Sequence, residues 1–195
     1  MSLRAGDLLQ QIRVAWEETP YPGDDNLAGR SSGCPSEYAY VEDYFRGKHW
    51  TEITPDGLSR DYPGPEDACL SFMSPRAFLF YLPAFMTMAV QYRDHAPDSA
   101  VPALCPPREN PELYRSAERA HREAGLEGVS NPFAPEQVRA RRKWWNERTA
   151  GFGAQQQQAI VSFLEYMLHE HSDDSPETDR TLREALDHWK EALKS

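Results

Sequence analysis

From Ala77 to Tyr92 the chain carries no charged residue, and Phe78, Leu79, Leu82, Phe85, Met86 and Val90 fall on all sides of the helix that the segment would form. No single apolar stripe hides such a helix, so it has to lie at the centre of the fold with neighbours in several directions. Ser74-Pro75 marks its start, because the serine oxygen can cap free backbone N–H groups and proline suits the first helical position. Pro83 is the difficulty. It removes the backbone hydrogen bond to the Leu79 carbonyl and predicts a kink or a division into two helices. The run falls short of the roughly 18 to 20 apolar residues that span a bilayer, so it is read as buried core.

Helical patterning recurs on both sides of this segment. Leu8, Leu9, Ile12 and Trp16 predict an amphipathic helix over 3–18, stopped by Pro20. Pro22-Gly23 suits the middle of a type II turn. Ser36 is read as the cap of a helix that carries Tyr38, Val41 and Phe45 and ends near Gly47, and His49 to Thr54 as a short strand with nothing obvious to pair with. Asn110-Pro111 opens a charged helix closed by Gly125, and another runs from Pro135 to Thr149 until Gly151-Phe152-Gly153 breaks it. Two helices follow. One places Ile160, Phe163, Leu164 and Met167 on a face; the other, after Ser175-Pro176, places Leu182, Leu186, Trp189 and Leu193. The expected fold is mainly α, a single-domain helical bundle over 1–195 around the proline-interrupted helix. Long irregular loops and at most a little β complete it, and the proline-rich 94–131 stretch is an irregular insertion.

The net charge of −10, from 31 acids and 21 bases, repels phosphate backbones and anionic lipid and favours a basic protein as partner. Nucleic acid and membrane are therefore disfavoured. Cys34, Cys69 and Cys105 are widely spaced and match no zinc pattern, which predicts free thiols in a reducing compartment and a cytoplasmic location. The first residues pass at once into a polar amphipathic stretch without the apolar core of a secretion signal.

Candidate chemistry is sparse. Gly29-Arg30-Ser31-Ser32-Gly33 matches the nucleophile-elbow pattern G-x-S-x-G, but no apolar strand precedes it, and flexible loop composition explains it as well. His169-Glu170-His171-Ser172-Asp173-Asp174 gathers metal-capable groups at a helix end, with spacing wrong for the H-E-x-x-H arrangement; histidines there also complement the helix dipole. No metal or cofactor is expected. Arg139 to Arg148 combines five bases with Trp144 and Trp145, the composition of a phosphate contact, although core tryptophans and ion pairing account for it equally. Asp24, Asp25, Asp61, Glu66 and Asp67 lie in turns, where such residues are ordinary. His49, His95 and His121 are isolated in sequence. The tract from Glu165 to Asp179 holds six acids and no base, which gives it the potential to steer a basic partner. Glu170, Asp173 and Asp174 are accordingly the expected binding residues.

The run Leu70 to Met86, with its Ser74-Pro75, Ala77-Phe78 and Tyr81-Leu82-Pro83-Ala84 elements, resembles a bacterial family of unknown function. Tyr21-Pro22-Gly23-Asp24-Asp25 and Trp50 are similar to that family's upstream landmarks, and Gln158 with Phe163-Leu164 to its downstream one. The resemblance implies no catalytic residue. The expected function is a cytoplasmic binding or regulatory protein that contacts a basic protein, an immunity protein for a basic toxin being one such role. A hydrolase assembled from dispersed Asp, Glu and His is the alternative.

Overall fold

The computed structural model describes residues 4–29, 35–92, 100–126, 129–170 and 176–194, with the side chains of 176–178 excepted. The chain divides into two compact units, one formed by Met1–Cys105 with Gly151–Ser195 and the other by Pro106–Ala150. Among the described residues the regular structure is helical, and β structure is limited to a single antiparallel bridge between Ala28 and Met73. No helix among them is long and apolar enough to cross a membrane.

In the first unit, α1 (Ala5–Trp16), α2 (Pro35–Phe45), α3 (Pro55–Asp61) and α4 (Cys69–Phe72) precede α5 (Pro75–Gln91), and α6 (Ala100–Leu104) follows it. In α5, Ala77, Phe78, Phe80 to Met86 and Met88 are all buried, so the helix is enclosed around its circumference as its composition requires. The Ser74 hydroxyl oxygen accepts from Ala77 N at 3.1 Å and donates to the Asn26 carbonyl, while Ser74 N donates to Leu27 O at 2.9 Å. One residue thus caps α5 and fastens the preceding loop to it.

Pro83 neither ends nor divides the helix, which continues to Gln91. The Leu79 carbonyl that proline leaves without its usual partner accepts instead from the Trp16 indole Nε1, at 2.7 Å. Trp16 is fully buried, and this bond ties the end of α1 to the middle of α5. A second tryptophan acts similarly: Trp189 Nε1 donates to the Leu104 carbonyl, at the end of α6, at 3.0 Å. Phe152, between the two glycines that break the chain, packs edge-on against Trp16, Phe78 and Trp189 with centroids 6.1, 6.0 and 5.6 Å apart. The closing helices α9 (Ala154–Glu170) and α10 (Pro176–Ala192) pack on one another, and α1 lies against both α5 and α9.

Several local expectations are corrected. Ser36 lies inside α2, which begins at Pro35, so it is not the cap. His49 to Thr54 is not a strand: Trp50–Glu52 is one turn of 3-10 helix capped by His49, whose Nδ1 accepts from Thr51 N while Glu52 reaches back to the His49 N–H. Local side-chain acceptors outcompete extended structure where no partner strand exists. Gly23 has the positive φ that a type II turn needs, 85°, but its ψ of 146° is extended, and it leads into the 3-10 turn Asp24–Asn26.

The second unit contains α7 (Pro111–Glu123) and α8 (Pro135–Thr149). The Asn110 side chain accepts from Glu112 N and Leu113 N, both at 3.1 Å, and Gly125 closes the helix with φ 66°. Residues 100–104 and 111–123, within the expected insertion, are helical. Asn131 is buried and donates to Tyr114 O at 3.1 Å and Glu118 Oε1 at 2.8 Å, binding the loop before α8 to α7.

Ser74→Ala removes both the cap and the loop tether and is expected to cost about 1–2 kcal/mol. Phe85→Ala empties a fully buried site and is expected to cost about 3–5 kcal/mol. Chemical denaturation of both variants measures the two losses.

Candidate functional site

Of the turn carboxylates singled out by sequence, Asp24 and Asp61 are engaged in local structure. Tyr21 donates its hydroxyl proton to Asp24 Oδ1 at 2.6 Å and accepts from Gly47 N at 2.8 Å, and Asp24 also faces Arg46 at 3.9 Å. Asp61 takes two bonds from the Arg60 guanidinium, at 2.9 and 2.7 Å, and Glu52 completes the His49 cap. Among the described residues no group of three or more His, Cys, Asp or Glu side chains is placed to hold a metal ion.

Behind these turns runs a ladder of rings. Tyr62, Tyr44, Phe45, Tyr81, Phe80 and Tyr21 follow one another with successive centroids 4.7 to 5.6 Å apart, and His49 stands edge-on to Phe80 at 5.3 Å. The Tyr81 hydroxyl lies 2.8 Å from both the Phe45 and Lys48 carbonyls, so it supplies a donor where α2 ends and its carbonyls lack helical partners. Lys48 caps the face of the Tyr44 ring, its Nζ 3.4 Å from the centroid. These contacts bring Tyr21 with Asp24 and, some 25 residues on, His49 to the same ring of α5, and they build a scaffold. Burial raises the Cys69 thiol well above its ordinary range, and its Sγ–H donates to Glu66 O at 3.0 Å, the setting of an inert core cysteine.

An open recess of the first unit lies elsewhere, along α1 and the start of α9. Two adjoining hollows of about 530 and 580 Å³ share Val14, Ala15 and Gln155. Asp7, Gln10, Gln11, Ala154 and Gln158 line one; Glu17, Glu18, Thr19, Pro20, Leu79 and Gln156 line the other. Burial of Leu8, Ile12 and Trp16 turns the opposite face of α1 outward, and that face carries Asp7, Gln10, Arg13 and Val14, with Gln11 at its edge and Glu17 and Glu18 just past the helix end. Val14 is half exposed. Gln156 fixes the corner, donating to Thr19 Oγ1 at 2.9 Å while its Oε1 accepts from Gly153 N at the start of α9. The charged lining is acidic throughout: Asp7, Glu17 and Glu18, with no base.

Of the residues expected to bind, Asp173 and Asp174 lie outside the described residues, as do Ser31, His95 and His171. Glu170 ends α9 beside His169, whose Nδ1 is 3.4 Å from its Oε1. The ends of the acidic tract are paired internally, Glu165 with Lys190 at 2.7 Å and Asp179 with Arg183 at 2.8 Å. In the second unit Arg142 donates to the Pro107 carbonyl at 2.9 and 2.8 Å and Arg141 to that of Pro132 at 2.6 Å. Arg148 is buried, and desolvation lowers its guanidinium to about 10. Much of this basic stretch therefore serves its own unit.

A family model matches residues 4–193. The chain belongs to DUF6714, a family of unknown function. No curated protein and no solved structure matches it. For this DUF6714 chain the glutamines of the recess were missed in sequence, because they are uncharged and the two groups lie far apart. The signal available was the outward face of the first helix, where Val14 stands exposed among polar and charged residues.

Burial raises the hydroxyls of Tyr44, to about 12, and of Tyr62 and Tyr81 further still. A folded-state value above the unfolded one of about 10 means that the associated stability is fully present below pH ~10 and is lost as pH rises toward ~12 and beyond. Stability is expected to be flat up to about pH 10 and then to fall, with tyrosinate absorbance appearing together with loss of circular dichroism. Tyrosinate absorbance that saturates near pH 10 in the folded protein would contradict the burial of this ladder.

Proposed function

We propose that this DUF6714 member is a cytoplasmic binding protein that takes a basic protein partner on its first unit, through the recess along α1 and α9. The observation that carries this reading is the composition of the recess: apolar Val14 and Ala15 at its shared centre, glutamines on both walls, and three carboxylates without a base. Charge is also segregated along the chain. Residues 106–150 hold nine bases and seven acids, so the remainder holds 12 bases against 24 acids, and the chain's acidity resides in the unit that carries the recess. An acidic surface of this kind accelerates encounter with a basic one and loses that advantage in salt. The local engagement of Asp24, Glu52 and Asp61 in caps and ion pairs supports a binding role over a hydrolytic one built from those carboxylates. Inhibition of a basic toxin is one biological role that fits this chemistry.

The test is capture from the native cell by the wild-type chain and by two recess variants, Val14→Arg and Glu17→Lys/Glu18→Lys. A basic partner retained by the wild type is expected to bind at least about tenfold more weakly to each variant, the loss of roughly 1.4 kcal/mol. Wild-type binding should also weaken with added salt. Unaltered capture by both variants would overturn the reading.

A further inference from the structure

We infer that the recess binds an extended segment of its partner, reads that segment's main chain through glutamine carboxamides, and selects two basic side chains about five residues apart. This inference rests on the basic-partner reading and specifies the form in which the partner is bound.

The first support is hydrogen-bonding capacity. Among the described residues the side chains of Gln10 and Gln11 on α1 and of Gln155 and Gln158 on α9 make no hydrogen bond to the protein, whereas that of Gln156 beside them is committed to Thr19 and Gly153. The four free amides stand on opposite walls of an apolar centre. Each offers both a donor and an acceptor, the same pair that every residue of an extended chain presents and that a helix has already consumed internally. A helical ligand would leave these amides facing apolar or charged side chains. An extended one can pair with them residue by residue.

The second support is the placement of charge. Asp7 stands toward one end of the α1 wall and Glu17 and Glu18 at the other. Ten residues lead from Asp7 to Glu17, the C-cap of α1 with helical backbone angles (φ −55°, ψ −41°), which at about 1.5 Å per residue is roughly 15 Å. An extended chain rises about 3.3 Å per residue, so the same distance is covered in about five residues. Val14 and Ala15 lie between, with room for a small apolar side chain over them. The ligand pattern is therefore a base, a short stretch with a small apolar residue near its middle, and a second base.

Fluorescein-labelled nonapeptides and the full-length chain provide the test, read by anisotropy. One peptide carries two arginines five positions apart with a central valine; a second has the same composition with the arginines two apart; a third repeats the first with the valine nitrogen methylated. The first is expected to bind about three- to fivefold more tightly than the second, the effect of losing one exposed ion pair. Methylation, which deletes a main-chain donor, is expected to weaken binding by up to about tenfold, as is Gln11→Ala/Gln158→Ala in the protein. Asp7→Asn/Glu18→Gln should flatten the salt dependence and erase the preference for spacing. Thermal melts of both variants establish that they remain folded. Equal affinity for all three peptides overturns the inference, and so does the absence of binding by any of them. In either case, if Val14→Arg still weakens capture of the basic partner at least about tenfold, only the extended-segment inference has failed.

Discussion

A proline in the middle of the most buried helix leaves one carbonyl to be satisfied from outside, and the arrangement of the first unit follows from how this is done. Leu79 O faces away from the hydrogen-bonding pattern of its own helix because residue 83 has no N–H. The carbonyl is part-buried, beside the recess that Leu79 helps to line, and leaving such a group unpaired costs up to about 1–3 kcal/mol. The indole of Trp16 meets it at 2.7 Å. That bond orients the last turn of α1 against α5, and Phe152 packs on the same indole, so the chain entering α9 is held at the same point.

The outward face of α1 is set by this attachment. With Leu8, Ile12 and Trp16 directed inward, Asp7, Gln10, Gln11 and Val14 point away from the core, and they share a hollow with the amides at the start of α9. The binding surface proposed here is therefore the reverse side of a structural constraint. It also lies where the chain can carry unpaired acids at little cost, because exposed carboxylates remain hydrated. The landmarks of the central region serve a different purpose: Ser74 and Tyr81 fasten loops to α5 through defined hydrogen bonds, and Tyr21 joins Asp24 to the backbone of Gly47.

The parts of this fold that were legible in sequence share a local cause. Ser74-Pro75, Asn110-Pro111 and Gly125 act within one turn of helix, and the structure places each at the terminus that its chemistry predicts. The exclusion of a simple amphipathic role for 77–92 was legible for a related reason, since composition alone required burial on all sides. Features that depend on distant partners were not. The acceptor freed by Pro83 could be named from sequence, but its donor lies 63 residues away. The His49 cap replaced an expected strand because Glu52 and Thr51 compete locally for the backbone, and Ser36 yielded its expected place to the earlier start of α2. The recess was the least legible element. Its amides come from the beginning and the last third of the chain, and an uncharged glutamine gives no sign in sequence of whether it faces water or a ligand.

The most direct test of this account is a double-mutant cycle between Trp16→Phe and Pro83→Ala, with stability read by denaturant titration. Phenylalanine keeps the ring buried and deletes the donor, while alanine at 83 restores a backbone N–H for the Leu79 carbonyl. Trp16→Phe is expected to be less costly in the Pro83→Ala background than in the wild type, by about 1–2 kcal/mol. Costs that agree in the two backgrounds within about 0.3–0.5 kcal/mol would show that the indole and the proline are independent, and would contradict the central claim.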